Sequence, residues 1–154
     1  DMQLVDSASV GFPTTVVHAE SLSQPDLLEG MRTGRVFIDV EGTRHRLLEF
    51  SARSGDQAAI AGDVLPVAAG VRVEINLAIA GVDRPRVNLV RDGQRMDATP
   101  RLNSDADRTI ATFERASGVQ RSWVRAEVAD TAGRVLLLSN PVYLAPVEDQ
   151  SASR

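Results

Sequence analysis

The sequence predicts a mainly β protein: an antiparallel, immunoglobulin-like β-sandwich of about eight or nine strands, preceded by a short strand-helix segment. Beyond Arg35, apolar and polar residues alternate in short runs, separated by turn signals at spacings of about 8 to 14 residues. The helical signal is confined to the stretch before Arg35. With no cysteine in the chain, the sandwich lacks the disulfide of a true immunoglobulin domain.

Taken in order, Thr14-Thr15-Val16-Val17 is a β-branched run and predicts the first strand. Ser23 offers an N-cap, Pro25 sits in the first turn and Asp26 complements the helix dipole. Leu27, Leu28 and Met31 supply apolar positions, and Gly34 stands where a C′ glycine ends a helix of about ten residues. Val36, Ile38 and Val40 then alternate with Phe37 and Asp39, and Gly42 turns the chain into 44–51, with Leu47, Leu48 and Phe50 as its apolar side. A short strand around 58–61 leads into a loop from Pro66 to Gly70.

The cleanest period-two stretch follows: Val71, Val73, Ile75, Leu77 and Ile79, with Arg72, Glu74 and Asn76 facing away. Val87 and Leu89 pair with Met96 across Asp92-Gly93, a strong hairpin signal. Residues 109–116 alternate again up to a Ser117-Gly118 turn. Val124, Ala126 and Val128 face one way and Trp123, Arg125 and Glu127 the other, and Ala132-Gly133 joins this strand to 134–139. Trp123 is the one large residue to anchor the core or cover an edge. Residues 146–154 are polar and expected to be a disordered tail.

Composition narrows the function. At 154 residues the chain can bury roughly 70% of its unfolded surface, enough for one sizeable core. The absence of cysteine removes thiolate catalysis and zinc-thiolate sites. All 17 basic residues are arginine, so lysine Schiff bases and P-loops are excluded as well. The arginines are scattered, which fits codon bias better than a built anion site. A net charge of -4 and 4% aromatic residues argue against a nucleic-acid partner. No apolar run approaches the roughly 20 residues of a membrane span, so no membrane partner is expected. The opening Asp1-Met2-Gln3-Leu4 has no basic n-region and reads as cut from something longer.

Individual candidates carry little chemistry. His18 follows the β-branched run; it is either a general acid or ligand, or a strand-end histidine in solvent. His45 lies between Arg44 and Arg46 and reads as exposed; the two histidines have no helical spacing and make no zinc site. Asn103, Asp105 and Asp107 alternate as oxygen donors for calcium would, but the glycine and distant glutamate of an EF-hand are lacking, so a solvated turn is expected. Ser7, Ser9 and Ser51 have no nucleophile elbow around them. The residues thus assign no catalytic group to this chain.

The segment VGFPTTVVHAESLSQPDLLEGMRTGRVFIDV, residues 10–40, resembles the end of the catalytic domain in metallohydrolases of the polymerase-and-histidinol-phosphatase (PHP) superfamily, in the CehA/McbA (carbaryl-hydrolase-like) branch. That branch is similar at Gly11, Pro13, Thr14, Thr15, Gly34 and Arg35. LEFSARSGDQAAIAGDVL, NLVRDGQ and SWVRAEVADTAGRVLLLSNPVYL look like the β-sandwich that closes such proteins.

The resemblance implies that residues 1–34 are the tail of a PHP-type β/α barrel and that 35–145 form an accessory β-sandwich. It implies divalent metal ions (zinc, manganese or iron) in a catalytic barrel preceding Asp1, with none in this chain. The barrel of the same parent protein would be its partner, and a homo-oligomer contact is a further role open to the sandwich. Asp1 matches the aspartate of the family's Asp-x-His, but the histidine position is Gln3, whose neutral amide is a poor ligand for transition metals. The expected function is therefore a non-catalytic accessory region of a metal-dependent phosphoesterase or related esterase, or of a degenerate relative. The alternative is a stand-alone sandwich that binds carbohydrate or a protein.

Overall fold

The computed structural model describes residues 12–104, 108–116 and 120–147. The chain is mainly β, with two sheets and, among the described residues, one helix. It begins with β1 (Thr14–Val17), α1 (Gln24–Arg32), β2 (Val36–Asp39), β3 (Leu47–Ser54), β4 (Gln57–Ile60), β5 (Val64–Val67) and β6 (Arg72–Ala80). It continues with β7 (Arg86–Arg91), β8 (Gln94–Arg95), β9 (Arg101–Ser104), β10 (Arg108–Ala116), β11 (Ser122–Ala129), β12 (Val135–Ser139) and β13 (Val142–Pro146).

The smaller sheet is an antiparallel run in the order β4-β3-β6-β10-β9. The larger is organised around β11. One edge of β11 pairs with β7, which carries β8. Its other edge pairs with β12 near one end and β13 near the other. These two pieces are one strand broken at Asn140-Pro141, because proline cannot donate to the ladder. Ser139 repairs part of the break: its hydroxyl accepts the Ala126 N–H at 2.8 Å. Beyond this split strand lie β2, antiparallel to β12, and β5, parallel to β13. The segment's first strand, β1, pairs antiparallel with β2 and so lies on the outside of this sheet.

The core forms where the inward rows of the sheets meet. Val73, Ile75, Leu77 and Ile79 of β6 are all within 1% of full burial, as their alternation predicts. They face Leu65, Leu89, Val124, Ala126, Val128 and Leu137 from the larger sheet, each also 1% exposed or less. Each such Val, Leu or Ile contributes about 1.5–3 kcal/mol by leaving water. Of the adjacent Leu47 and Leu48, period two allows only one to face in; it is Leu48, and Leu47 is exposed.

Several local expectations are corrected. Among the described residues there are thirteen strands rather than eight or nine, because short edge pieces pair where no alternation announced them. The Pro66–Gly70 loop begins inside a strand: β5 runs through Pro66, tolerated because this is an outer strand. A further edge strand, β9, precedes β10. Order also extends past the expected start of the tail, since Pro146 closes β13 and the Val147 N–H donates to the Val67 carbonyl at 3.0 Å. Trp123 is half-buried on the outer face and anchors no core. The Ser117-Gly118 turn lies outside the described residues.

The helix follows its capping signals and departs from its apolar ones. Ser23 is the N-cap, its hydroxyl accepting the Asp26 N–H at 3.2 Å, and Gly34 follows the C-cap at φ +74°. The side turned to the protein is Gly30, whose absent Cβ would meet the His18 carbonyl at 2.6 Å and the Val17 side chain at 2.8 Å. A larger residue there would push the helix off β1. Leu28 and Met31 share a face and remain 45% and 50% exposed, and Leu22 just before the helix is 95% exposed.

Candidate functional site

A cleft of about 240 Å³ opens where the edge of the smaller sheet stands away from the larger one. β4 pairs with β3 over Ser51–Ser54, so among the described residues 47–50 of β3 has no strand neighbour on that side. The Phe50 carbonyl is engaged there by the Ala61 N–H at 3.0 Å. Leu48, Phe50, Ile60 and Ala61 form this wall, and Val36, Phe37 and Ser139 form the wall from β2 and β12.

His18 and Arg35 lie at the same cleft. Strand pairing brings them together: the His18 N–H donates to the Arg35 carbonyl at 2.8 Å, extending the β1–β2 ladder by one step. The Arg35 N–H in turn donates to the Gly30 carbonyl at 2.9 Å, which ties the exit of the helix to the strand. His18 is exposed. Arg35 makes no ion pair among the described residues, and its Nε is buried without a hydrogen-bond partner. Glu49, the carboxylate of this lining, is paired with Arg108.

The other candidates lie elsewhere. His45 is exposed, its Nδ1 3.1 Å from the Thr43 carbonyl, and it does not line the cleft. Ser51 lines the cleft, and among the described residues its hydroxyl has no hydrogen bond to a histidine or carboxylate. Asn103 is exposed on β9, and Asp105 and Asp107 lie outside the described residues, as do Asp1, Gln3, Ser7 and Ser9. Among the described residues no group of three or more histidines and carboxylates could hold a metal ion. Nor is any helix among them long and apolar enough to cross a membrane.

One buried polar cluster escaped the sequence reading. Asp39 is 1% exposed and faces inward beside Phe37. Its carboxylate accepts the Thr43 N–H and hydroxyl, both at 2.8 Å, the Glu41 N–H at 3.2 Å and Arg46 at 3.3 Å. Arg46 also donates to Glu41 at 2.7 Å. Burial alone would raise the Asp39 pKa, but the bonds from Thr43 and Glu41 and the charge of Arg46 outweigh it and hold the pKa below the ordinary 3.8. A carboxylate so saturated with donors is a poor proton acceptor, and its work is to fold the 40–46 turn. Its period-two placement with Phe37, followed by Gly42, Thr43 and Arg46, is the signal that could have found it.

Compared with family models, curated proteins and solved structures, the chain matches none. The chain is a mainly β, two-sheet protein with a lateral cleft lined by His18 and Arg35.

Proposed function

We propose that this chain is the C-terminal accessory β-sandwich region of a PHP-type metal-dependent hydrolase, or of a degenerate relative, and that it packs on the catalytic barrel. In this reading the sandwich is immunoglobulin-like, and β1 with α1 is the last strand and helix of the barrel. The barrel would carry the metal ions and the hydrolytic chemistry. The observation that supports it best is the uncovered helix: α1 rests on its own chain through Gly30 and leaves Leu28 and Met31 facing outward. A short helix gains most of its stability from tertiary packing of an apolar face, so such a face calls for a partner.

The test is a paired one with Leu28→Glu and Met31→Glu together. In the isolated chain the double variant should change the unfolding free energy by less than about 0.5 kcal/mol, as exposed substitutions do. In a protein that also carries the barrel it should lower the melting temperature and open the junction to protease. Equal destabilisation of the isolated chain, or no effect in the longer protein, contradicts the reading.

A second reading, a carbohydrate-binding module, is favoured by one feature. Trp123 and Tyr143 stand directly opposite each other on β11 and β13, on the outer face next to exposed Val64. Neighbouring aromatic faces of this kind can stack on a sugar ring. Saturable quenching of Trp123 emission by an oligosaccharide would favour this reading over the first.

A further inference from the structure

The lateral cleft has a chemistry that neither reading uses. Phe37, Leu48, Phe50 and Ile60 make its lining largely apolar. Against them stands Arg35, half-buried and with no ion pair among the described residues. Other half-buried arginines differ: Arg46 is held by Asp39 and Glu41, and Arg91 lies 3.3 Å from Asp92. The natural complement of a guanidinium fork is a planar carboxylate, which accepts two parallel N–H bonds. Glu49 cannot serve, because its charge is engaged by Arg108, and His18 at the rim adds no negative charge.

We propose that this cleft binds a small monocarboxylic acid with an apolar body. The carboxylate lies on Arg35, and the hydrocarbon packs against Phe37, Leu48, Phe50 and Ile60. The volume, about 240 Å³, falls just below the usual range of small-molecule sites, roughly 300–1,000 Å³, and suits a short chain or single ring. Apolar contact supplies affinity, and the fork selects acids over neutral analogues of the same shape.

The test is an amide NMR titration of the chain with hexanoate, hexanamide and inorganic phosphate. Hexanoate is expected to give saturable shifts in β2 and β3, with a Kd at least about tenfold below that of hexanamide, as one charge-assisted contact provides. Phosphate should bind more weakly than hexanoate. Arg35→Gln should erase the preference for hexanoate while leaving hexanamide binding in place. If that variant unfolds, Ile60→Glu decides, since Ile60 is 41% exposed and the new carboxylate would compete at the rim and weaken hexanoate binding about tenfold. Equal binding of acid and amide, phosphate binding as tight as hexanoate, or no saturable shifts would overturn the proposal. Unchanged hexanoate affinity in a folded variant would do so as well. None of these outcomes depends on whether a barrel partner exists.

Discussion

Gly62→Ala is expected to lower the unfolding free energy by about 3–5 kcal/mol, the sum of a disfavoured backbone and an overlap in a packed region. Gly62 has φ +95°, and a Cβ there would lie 1.9 Å from the Thr33 carbonyl oxygen and 2.9 Å from the Gly34 carbon. Backbone atoms cannot swing aside as a side chain could. The position is a three-way junction: the Gly62 N–H donates to the Pro141 carbonyl at 2.8 Å, and the Asn140 amide donates to the Gly34 carbonyl at 2.8 Å. It ties the helix exit and the broken β12–β13 strand to the turn before β5. Gly55→Ala is the control. That glycine also has positive φ, +56°, but nothing lies within 4 Å, so only the backbone cost of about 1 kcal/mol remains. Urea unfolding followed by Trp123 emission measures both. Because Arg35 directly follows Gly34, Gly62→Ala should also disturb the cleft.

Asp39→Ala should cost about 3 kcal/mol at neutral pH, since it strands Arg46 and the Thr43 and Glu41 donors in a buried site. The pH dependence follows from the direction of the shift. The folded pKa lies below the ordinary 3.8, so the carboxylate stabilises fully above the unfolded value. That stabilisation drains away as pH falls through the folded value. The parent protein should therefore lose stability steeply in acid, and Asp39→Ala should lose less over the same range because its share is already gone. Parallel acid titration curves for the two proteins would contradict this account of the cluster.

How much of this was legible in the sequence depends on the kind of signal. β6 is read directly, because Val73, Ile75, Leu77 and Ile79 obey period two and all are buried. The β7–β8 hairpin is equally plain: Asp92 and Gly93 both adopt positive φ, as a two-residue hairpin turn requires. Ser23 and Gly34 marked the helix ends because capping is local chemistry. Long-range pairing has no such local trace. Pro66 argued for a loop, yet β5 pairs in parallel with a strand almost eighty residues later. β9 is exposed along its whole length and carries no alternation to detect.

The cleft was legible only in part. His18 stood out by residue type, whereas Arg35 was read only as a position of the resemblance, the residue leaving the helix. Its importance comes from what fails to meet it in space, which no single sequence displays. In the same way, Leu28 and Met31 looked like core positions because an amphipathic pattern says which face is apolar, and not what covers it.

The proposed function makes this chain an accessory scaffold, with the hydrolytic chemistry placed on a barrel partner. Hydrolysis of a generic aryl phosphoester by the purified chain, with divalent metal and again with chelator, tests it most directly. The account predicts no turnover above the protein-free rate in either case. Chelator-sensitive turnover that disappears in His18→Ala would contradict it.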